Sequence, residues 1–417
     1  MTVIGPAPLL PGDGPATVVD IDLAEPGRFS PPGSRAHIHP RGRVLALVRR
    51  QGHPLGLVSS SGADPAELWR TLAESSRHEL AAPPAPPAGG GTGDTPDISV
   101  VVPTHNRCGL LRQCLDSLLR AEYPSSRFEI IVVDNAPANA AAEHLVHTAY
   151  RDRVRYLREP VVGGARARNR GLAASHGTLV AYADDDTLVD ARWLSALAQA
   201  FSGDRRIGCV TGLIVPAELQ TDTQAALERH GAFGKGFSPR SWSLRDPPDD
   251  PLFPFAAGHF GSGANMAFRT DVLKALGGFD PATGPGTPAH GGEDLLAFFQ
   301  VVVSGRTLVY RPDAIVWHRH RRTADALPAQ AFGYGAGFGA YLTAALAHHP
   351  GMLPALLRRL PGGIRYAAAR SRTRARREDA AWSRRLALLE IEGLAYGPVG
   401  YLRGRRHLAW SSRACAT

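Results

Sequence analysis

Two short runs constrain this chain most: ISVVVP at 98–103 and FEIIVVD at 128–134, each almost wholly apolar. A run that short and that apolar is a strand buried on both faces, which requires a sheet covered on both sides. Between them, CGLLRQCLDSLLR sets residues 110, 111, 114, 115, 118 and 119 on one helical stripe. VRYL (154–157) is a third strand, GGARARNRGLAASH carries a helix, and TLVAYA (178–183) is a fourth strand. Strand–helix alternation at this spacing predicts an α/β fold with a mostly parallel central sheet, right-handed crossovers and flanking helices. Open sheets of this kind bind ligands beyond the carboxyl ends of their strands. The least ordinary residues sit there: PTHNR after the first strand, DNA after the second, and Asp184, Asp185 and Asp186 after the fourth.

A chain of 417 residues exceeds one small core. The proline- and glycine-dense AAPPAPPAGGGTGDTP, 81–96, reads as a linker. Before it, residues 1–80 read as a small β-rich α+β module with one helix and no evident chemistry. After it come the strand–helix domain, 97–322, and a helical, basic C-terminal extension, 323–417. The net charge of +9 comes almost wholly from arginine, since Lys235 and Lys274 are the only lysines. Residues 358–377 hold eight arginines and no acid, a pattern of either a solvated basic face or a site for anionic lipid, nucleic acid or a diphosphate. Cys108, Cys114, Cys209 and Cys415 have no metal-ligand spacing, in keeping with a reducing compartment. The start, MTVIGPAPLLPGDG, lacks the basic and apolar regions of a signal peptide, and AFGYGAGFGAYLTAALA (331–347) is too weakly apolar for a membrane span. The expectation is a cytoplasmic protein with peripheral contact at the inner face of a membrane.

Three adjacent carboxylates at a strand end favour a hard divalent cation, Mg²⁺ or Mn²⁺, which takes oxygen ligands and completes its shell with water and phosphate. The competing role is to cap the following helix, for which Asp190 is better placed. Asp134 either accepts from a base imide or ribose hydroxyl, or forms a turn with Asn135. In GGARARNRG, Arg166 and Arg170 share a face and Arg168 points elsewhere, so one group faces ligand and the other solvent. Glu293 and Asp294 open an apolar helix after a glycine-rich loop, either as first-turn acids or as a general base on a rigid support. His318 and His320 share one side of an extended segment, where His318 is either structural or a ligand.

In this order, ISVVVPTHNR, EIIVVDNA, GGARARNRGLAASHGTLVAYADDD, GSGANMAFRTDVLKALGGFD, GGEDLLAFFQVVVSG and VWH resemble the family 2 glycosyltransferases, from about Ile98 to His320. The resemblance implies a GT-A fold and an inverting transfer of one sugar from a nucleoside-diphosphate sugar, with UDP- or dTDP-sugars favoured. Pro103, Thr104, Asn106 and Arg107 would line the nucleotide pocket, Asp134 would meet the base, and Arg168 would lie near the nucleotide. Asp184 would approach ribose or sugar, Asp185 would hold the variable middle position of the DxD-type motif, and Asp186 would bind the metal with His318 near it. Gly263 and Asn265 would line the donor-sugar and acceptor cleft, with Asp294 as base and Glu293 in support. The acceptor would be a small molecule, a lipid-linked carrier, a peptide or a glycan end, and nucleic acid is not expected. The QxxRW-type motif of processive synthases is absent after VWHRH. The competing readings are a nucleotidyltransferase, a non-catalytic nucleotide-sugar binding module and a membrane-associated scaffold.

Overall fold

The computed structural model describes residues 14–79, 95–231, 233–363 and 380–414. Nearly all of the linker, most of the arginine run and Cys415 lie outside the described residues. The N-terminal part folds as β1 (Thr17–Asp22), β2 (Gly42–Arg50) and β3 (His53–Gly62), followed by α1 (Pro65–Glu79). β1 pairs parallel with β2, and β2 antiparallel with β3. Their alternating inner residues pack against Leu68 and Leu72 of α1.

The main sheet runs through β4 (Ile98–Thr104), β5 (Phe128–Asn135), β6 (Val154–Glu159) and β7 (Leu179–Ala183). Then follow β8 (Thr187–Val189), β9 (Ile207–Pro216), β10 (Arg240–Trp242), β11 (Asn265–Arg269) and β12 (Thr307–His318). Its order is β10-β12-β9-β11-β7-β4-β5-β6, with β8 paired to β12. The half β6-β5-β4-β7 is wholly parallel, as the apolar runs require. β11 enters antiparallel between β7 and β9 and so joins that half to β9 and β12.

Helices cover both faces: α2 (Cys108–Leu118), α3 (Ala141–Leu145), α4 (Gly164–Ala174) and α5 (Trp193–Phe201), then α6 (Asp222–Gly231), α7 (Thr270–Ala275) and α8 (Glu293–Val303). One core face collects α2, α3 and α5 over the sheet, and the other collects α4, α8 and the C-terminal helices. α4 lies close on β4 because Gly171 has no side chain, and a Cβ there would collide with Val101.

The chain ends in α9 (Ala326–His348), α10 (residues 353–363) and α11 (Ala380–Ala414). Glycine lets α9 and α11 approach closely: a Cβ on Gly393 or Gly397 would run into backbone atoms of Phe332 and Ala340. The glycine and alanine content that weakens 331–347 as a membrane span is therefore a packing seam. No helix among the described residues is long and apolar enough to cross a membrane. At the opposite end, the N-terminal sheet is held by buried Arg49, which donates to Asp20 and to Asp190 at 2.6 Å each.

Candidate active site

The three aspartates form the turn between β7 and β8 and do not start a helix. The Thr187 N–H and hydroxyl both donate to the Asp184 carbonyl, at 3.1 and 2.7 Å, and the chain returns as β8 alongside β12. That hairpin brings the end of β12 to the cluster. His318 Nε2 lies 3.5 Å from Asp186 Oδ1. Asp190 does not cap α5, whose N-cap position is Arg192 with no side-chain cap; its carboxylate accepts the Arg192 N–H at 2.9 Å in the turn before the helix.

The aspartates face different neighbours. Asp185 is buried and accepts the Thr104 hydroxyl at 2.7 Å, which ties the ends of β4 and β7 together. Arg107, half exposed, reaches both Asp185 (3.2 Å) and Asp186 (3.0 Å). Burial raises both carboxyls above the ordinary range and the neighbouring acids raise them further, against the Arg107 guanidinium. Such a cluster gains from any added cation. Asp184 turns the other way, to Arg168 at 2.9 Å.

Arg168 is the centre of the arrangement. Its side chain leaves the buried face of α4, stacks over Phe279 at 5.9 Å, and donates from one nitrogen to Asp184 and from the other to Glu293 at 2.6 Å. Arg170 is exposed and Arg166 partly so, hence the split between buried and solvent-facing guanidinium groups follows the helical spacing. Glu293 is buried at the first turn of α8. Burial raises its carboxyl, Arg168 opposes that, and Asp294 adds repulsion. Asp294 is partly exposed, and its two oxygens accept the Gly263 N–H at 2.7 Å and the Leu295 N–H at 2.8 Å. A continuous chain of contacts thus runs from Thr104 and Arg107 through Asp185, Asp186 and His318, and from Asp184 through Arg168 to Glu293, Asp294 and Gly263.

Asp134 pairs with Thr104 across β5 and β4. One oxygen accepts the Tyr156 hydroxyl at 2.9 Å, while the other is buried without a hydrogen-bond partner. Asn135 fixes the loop before α4 by bonding Val161 and Gly163. Asn106, in left-handed backbone, accepts the Ala138 N–H, and Pro103 lies partly buried in β4. Asn265 corrects the sequence expectation. It lines no cleft: it is fully buried, accepts the Trp193 indole N–H, and donates to the carbonyls of Leu213 and Ala314. Every hydrogen bond its amide can readily make is internal, so it fastens β11 to α5, β9 and β12.

Sequence reasoning passed over Tyr156 and the support behind His318. The only signal for Tyr156 was its place on the strand beside Asp134, visible once β5 and β6 are paired. His318 packs on Phe233 and His320, and His320 meets Glu228 of α6 at 2.7 Å. Burial lowers the His318 imidazole to about 4, so it is neutral near pH 7.

A divalent cation fits in part. No group of three or more His, Cys, Asp or Glu side chains able to hold a metal occurs among the described residues. Asp186 and neutral His318 Nε2 nevertheless offer two ligands on one side. Mg²⁺ commonly takes only one or two protein carboxylates, with substrate phosphates supplying the remainder.

Residues 99–277 match the family model described as glycosyl transferase family 2. Over that segment the chain is similar to the family. It is 29% identical over 273 residues to the pre-mycofactocin glycosyltransferase of Mycobacterium tuberculosis, covering 65% of this chain and 51% of the relative. It is 26% identical over 250 residues to glycosyltransferase AglE of Haloferax volcanii, covering 59% of this chain and 74% of the relative. The chain thus spans about half the length of the first of these relatives. A mannosyltransferase from Pyrobaculum calidifontis, solved with GDP-Man and Mn²⁺, overlaps 84% of this chain and 88% of its own at 20% identity and a TM-score of 0.46. The matched segment covers β4 through α7, and the Glu293–Asp294 pair lies beyond it.

Proposed function

We propose that this protein is an inverting family 2 glycosyltransferase that moves one sugar from a nucleoside-diphosphate sugar to an acceptor. The observation that carries the reading is Arg168, whose guanidinium joins the strand-end acid Asp184 to Glu293, beside Asp294. Acids over a hundred positions apart meet in one site, so a donor held at the strand ends and a base at the start of α8 act on the same molecule pair. Asp294 is the base. Two backbone N–H groups fix its carboxylate, and partial exposure leaves it open to an acceptor proton. Glu293 and Arg168 set its position.

Asp186 and His318 would hold the cation, which supplies charge neutralisation for the departing diphosphate. Arg107 stands among these acids and is free to turn to phosphate when a metal takes its place. The unpartnered Asp134 oxygen, beside Thr104 at the strand ends, suits the imide N–H of uracil or thymine, which supports UDP- or dTDP-sugars. The acceptor is a small molecule, a lipid-linked carrier, a peptide or a glycan end.

The decisive experiment incubates the protein with nucleotide sugars, a divalent cation and an acceptor panel, and follows nucleoside-diphosphate release with mass spectrometry of products. Diphosphate release with a glycosylated product is expected. Release of pyrophosphate would indicate nucleotidyl transfer instead, and donor binding without release would leave a binding module.

A further inference from the structure

The C-terminal helices turn apolar residues outward as well as inward. On α11 the glycine seam against α9 fixes which side faces the protein. The opposite side carries Leu388 (66% exposed), Ile391 (62%), Val399 (45%) and Leu402 (57%). At 100° per residue these fall in one stripe about 80° wide, and Gly393, Gly397 and Gly404 fall roughly opposite. The stripe runs about 21 Å along the helix. Exposed arginines close both of its ends, Arg384 and Arg385 before it and Arg403 and Arg406 after it, with Glu392 the one acid along the same side. Helix α10 repeats the pattern on a smaller scale, exposing Leu353, Leu357 and Leu360 beside Arg358. In the sequence, the eight-arginine run of 358–377 connects the two.

Scattered exposed leucines on a soluble surface need no explanation. A stripe about four turns long with arginine at both ends is different, because water gives it nothing and one environment satisfies both parts. Apolar side chains enter the boundary between headgroups and acyl chains, while guanidinium groups stay level with anionic headgroups. No described helix is long and apolar enough to cross a membrane, so the geometry suits lying on a surface. We propose that the outward faces of α11 and α10 dock this protein on an anionic lipid surface. The charge decides between occupants: a second copy of this chain would set arginine against arginine, whereas an anionic bilayer complements them.

The test uses the full chain and vesicles of phosphatidylcholine alone or with phosphatidylglycerol, at low and high salt. Association with the anionic vesicles is expected, weak on the neutral ones and falling steeply as salt rises. Leu388→Glu with Leu402→Glu is expected to reduce anionic-vesicle binding at least about tenfold, since both charges enter the apolar boundary. Arg403→Glu with Arg406→Glu should reduce it too and flatten the salt dependence. Both double variants should keep the wild-type melting temperature and the wild-type rate of diphosphate release in solution, because none of these residues touches the candidate site. This readout does not depend on transfer activity, so it stands or falls apart from the proposed function. The proposal is overturned if the wild-type chain ignores anionic vesicles, or if the leucine variants bind them equally well. It is also overturned if light scattering finds a wild-type dimer that those variants dissociate, which would mean a second copy covers the face.

Discussion

The two halves of the candidate site are built by different means. The proposed donor side stands on strand ends: Thr104 and Asp134 lie at the ends of β4 and β5, and Asp184–Asp186 follow β7, with the hydrogen-bonded register fixing their spacing. The proposed acceptor side stands on a glycine-rich loop and the first turn of α8, with no ladder behind it. What holds it is the C-terminal pair: Gly292 sits in left-handed backbone against Gly337 of α9, and Asp280 bonds His348 of α9 and Tyr401 of α11. A sheet gives precision without help, whereas a loop borrows it from whatever packs on it. Arg168 bonds an acid of each half, Asp184 and Glu293.

The comparison is broken most directly at Asp294. Asp294→Asn keeps the shape and one of the two backbone N–H bonds but cannot take a proton. Turnover should fall roughly 10²–10⁴-fold, with donor binding by calorimetry unchanged. Near-normal turnover would remove the base assignment. Next in size is Arg168→Met, which leaves buried Glu293 without its cation and takes the same partner from half-buried Asp184. Loss of one partner from a buried ion pair costs about 3–5 kcal/mol, so melting temperature, donor affinity and turnover should all drop. If donor affinity is untouched, the two halves are not coupled through this guanidinium. Asp186→Ala acts on the donor side alone. Calorimetry should show weaker donor binding with Mn²⁺ and little change without it; equal loss under both conditions would remove Asp186 from the metal.

That asymmetry also explains what could be read from the sequence. The parallel half of the sheet was legible because ISVVVP and FEIIVVD are short, apolar and rich in β-branched residues, which suits doubly covered strands. The acid cluster was legible because three adjacent carboxylates have so few structural uses. Arg168 was half legible: helical spacing separates it from Arg166 and Arg170 but does not say which group is buried. Asn265 misled because an amide just after a glycine-rich turn in a strand-entry motif looks the same whether it faces a ligand or a neighbouring carbonyl. Only three-dimensional neighbours, here Trp193, Leu213 and Ala314, distinguish the cases. The glycines of 331–347 read as weak hydrophobicity, yet with those of α11 they allow the helices behind α8 to approach.

The acceptor half is tested more gently at Gly292. Its φ of +93° disfavours any side chain, and an alanine Cβ would stand 2.3 Å from the Gly337 carbonyl oxygen. Gly292→Ala must shift either the first turn of α8 or the α9 contact, at a cost of about 1–3 kcal/mol. The expected signature is a lower kcat with an unchanged donor KM. A parallel loss in both would mean the glycine contact supports the whole site and not only its acceptor side.

The smallest effect concerns the node that ties the loop to both terminal helices. Burial acts to raise the Asp280 carboxyl, but hydrogen bonds from His348 (2.9 Å), the Ala282 N–H (2.9 Å) and the Tyr401 hydroxyl (3.1 Å) outweigh it and hold it below the ordinary value of 3.8. A carboxyl depressed in the folded state adds stability that is fully present above the unfolded value and disappears as pH falls through the folded one. Wild-type stability should therefore contain a component that persists at neutral pH and fades below about pH 4. Asp280→Asn removes it throughout, lowering stability by about 1–3 kcal/mol near pH 7 and narrowing its gap to wild type in acid. Thermal melts of both proteins across that range measure the gap. A gap that stays constant into acid would show that the Asp280 charge does not fasten the C-terminal pair, and the acceptor half would then owe its position to the glycine contacts alone.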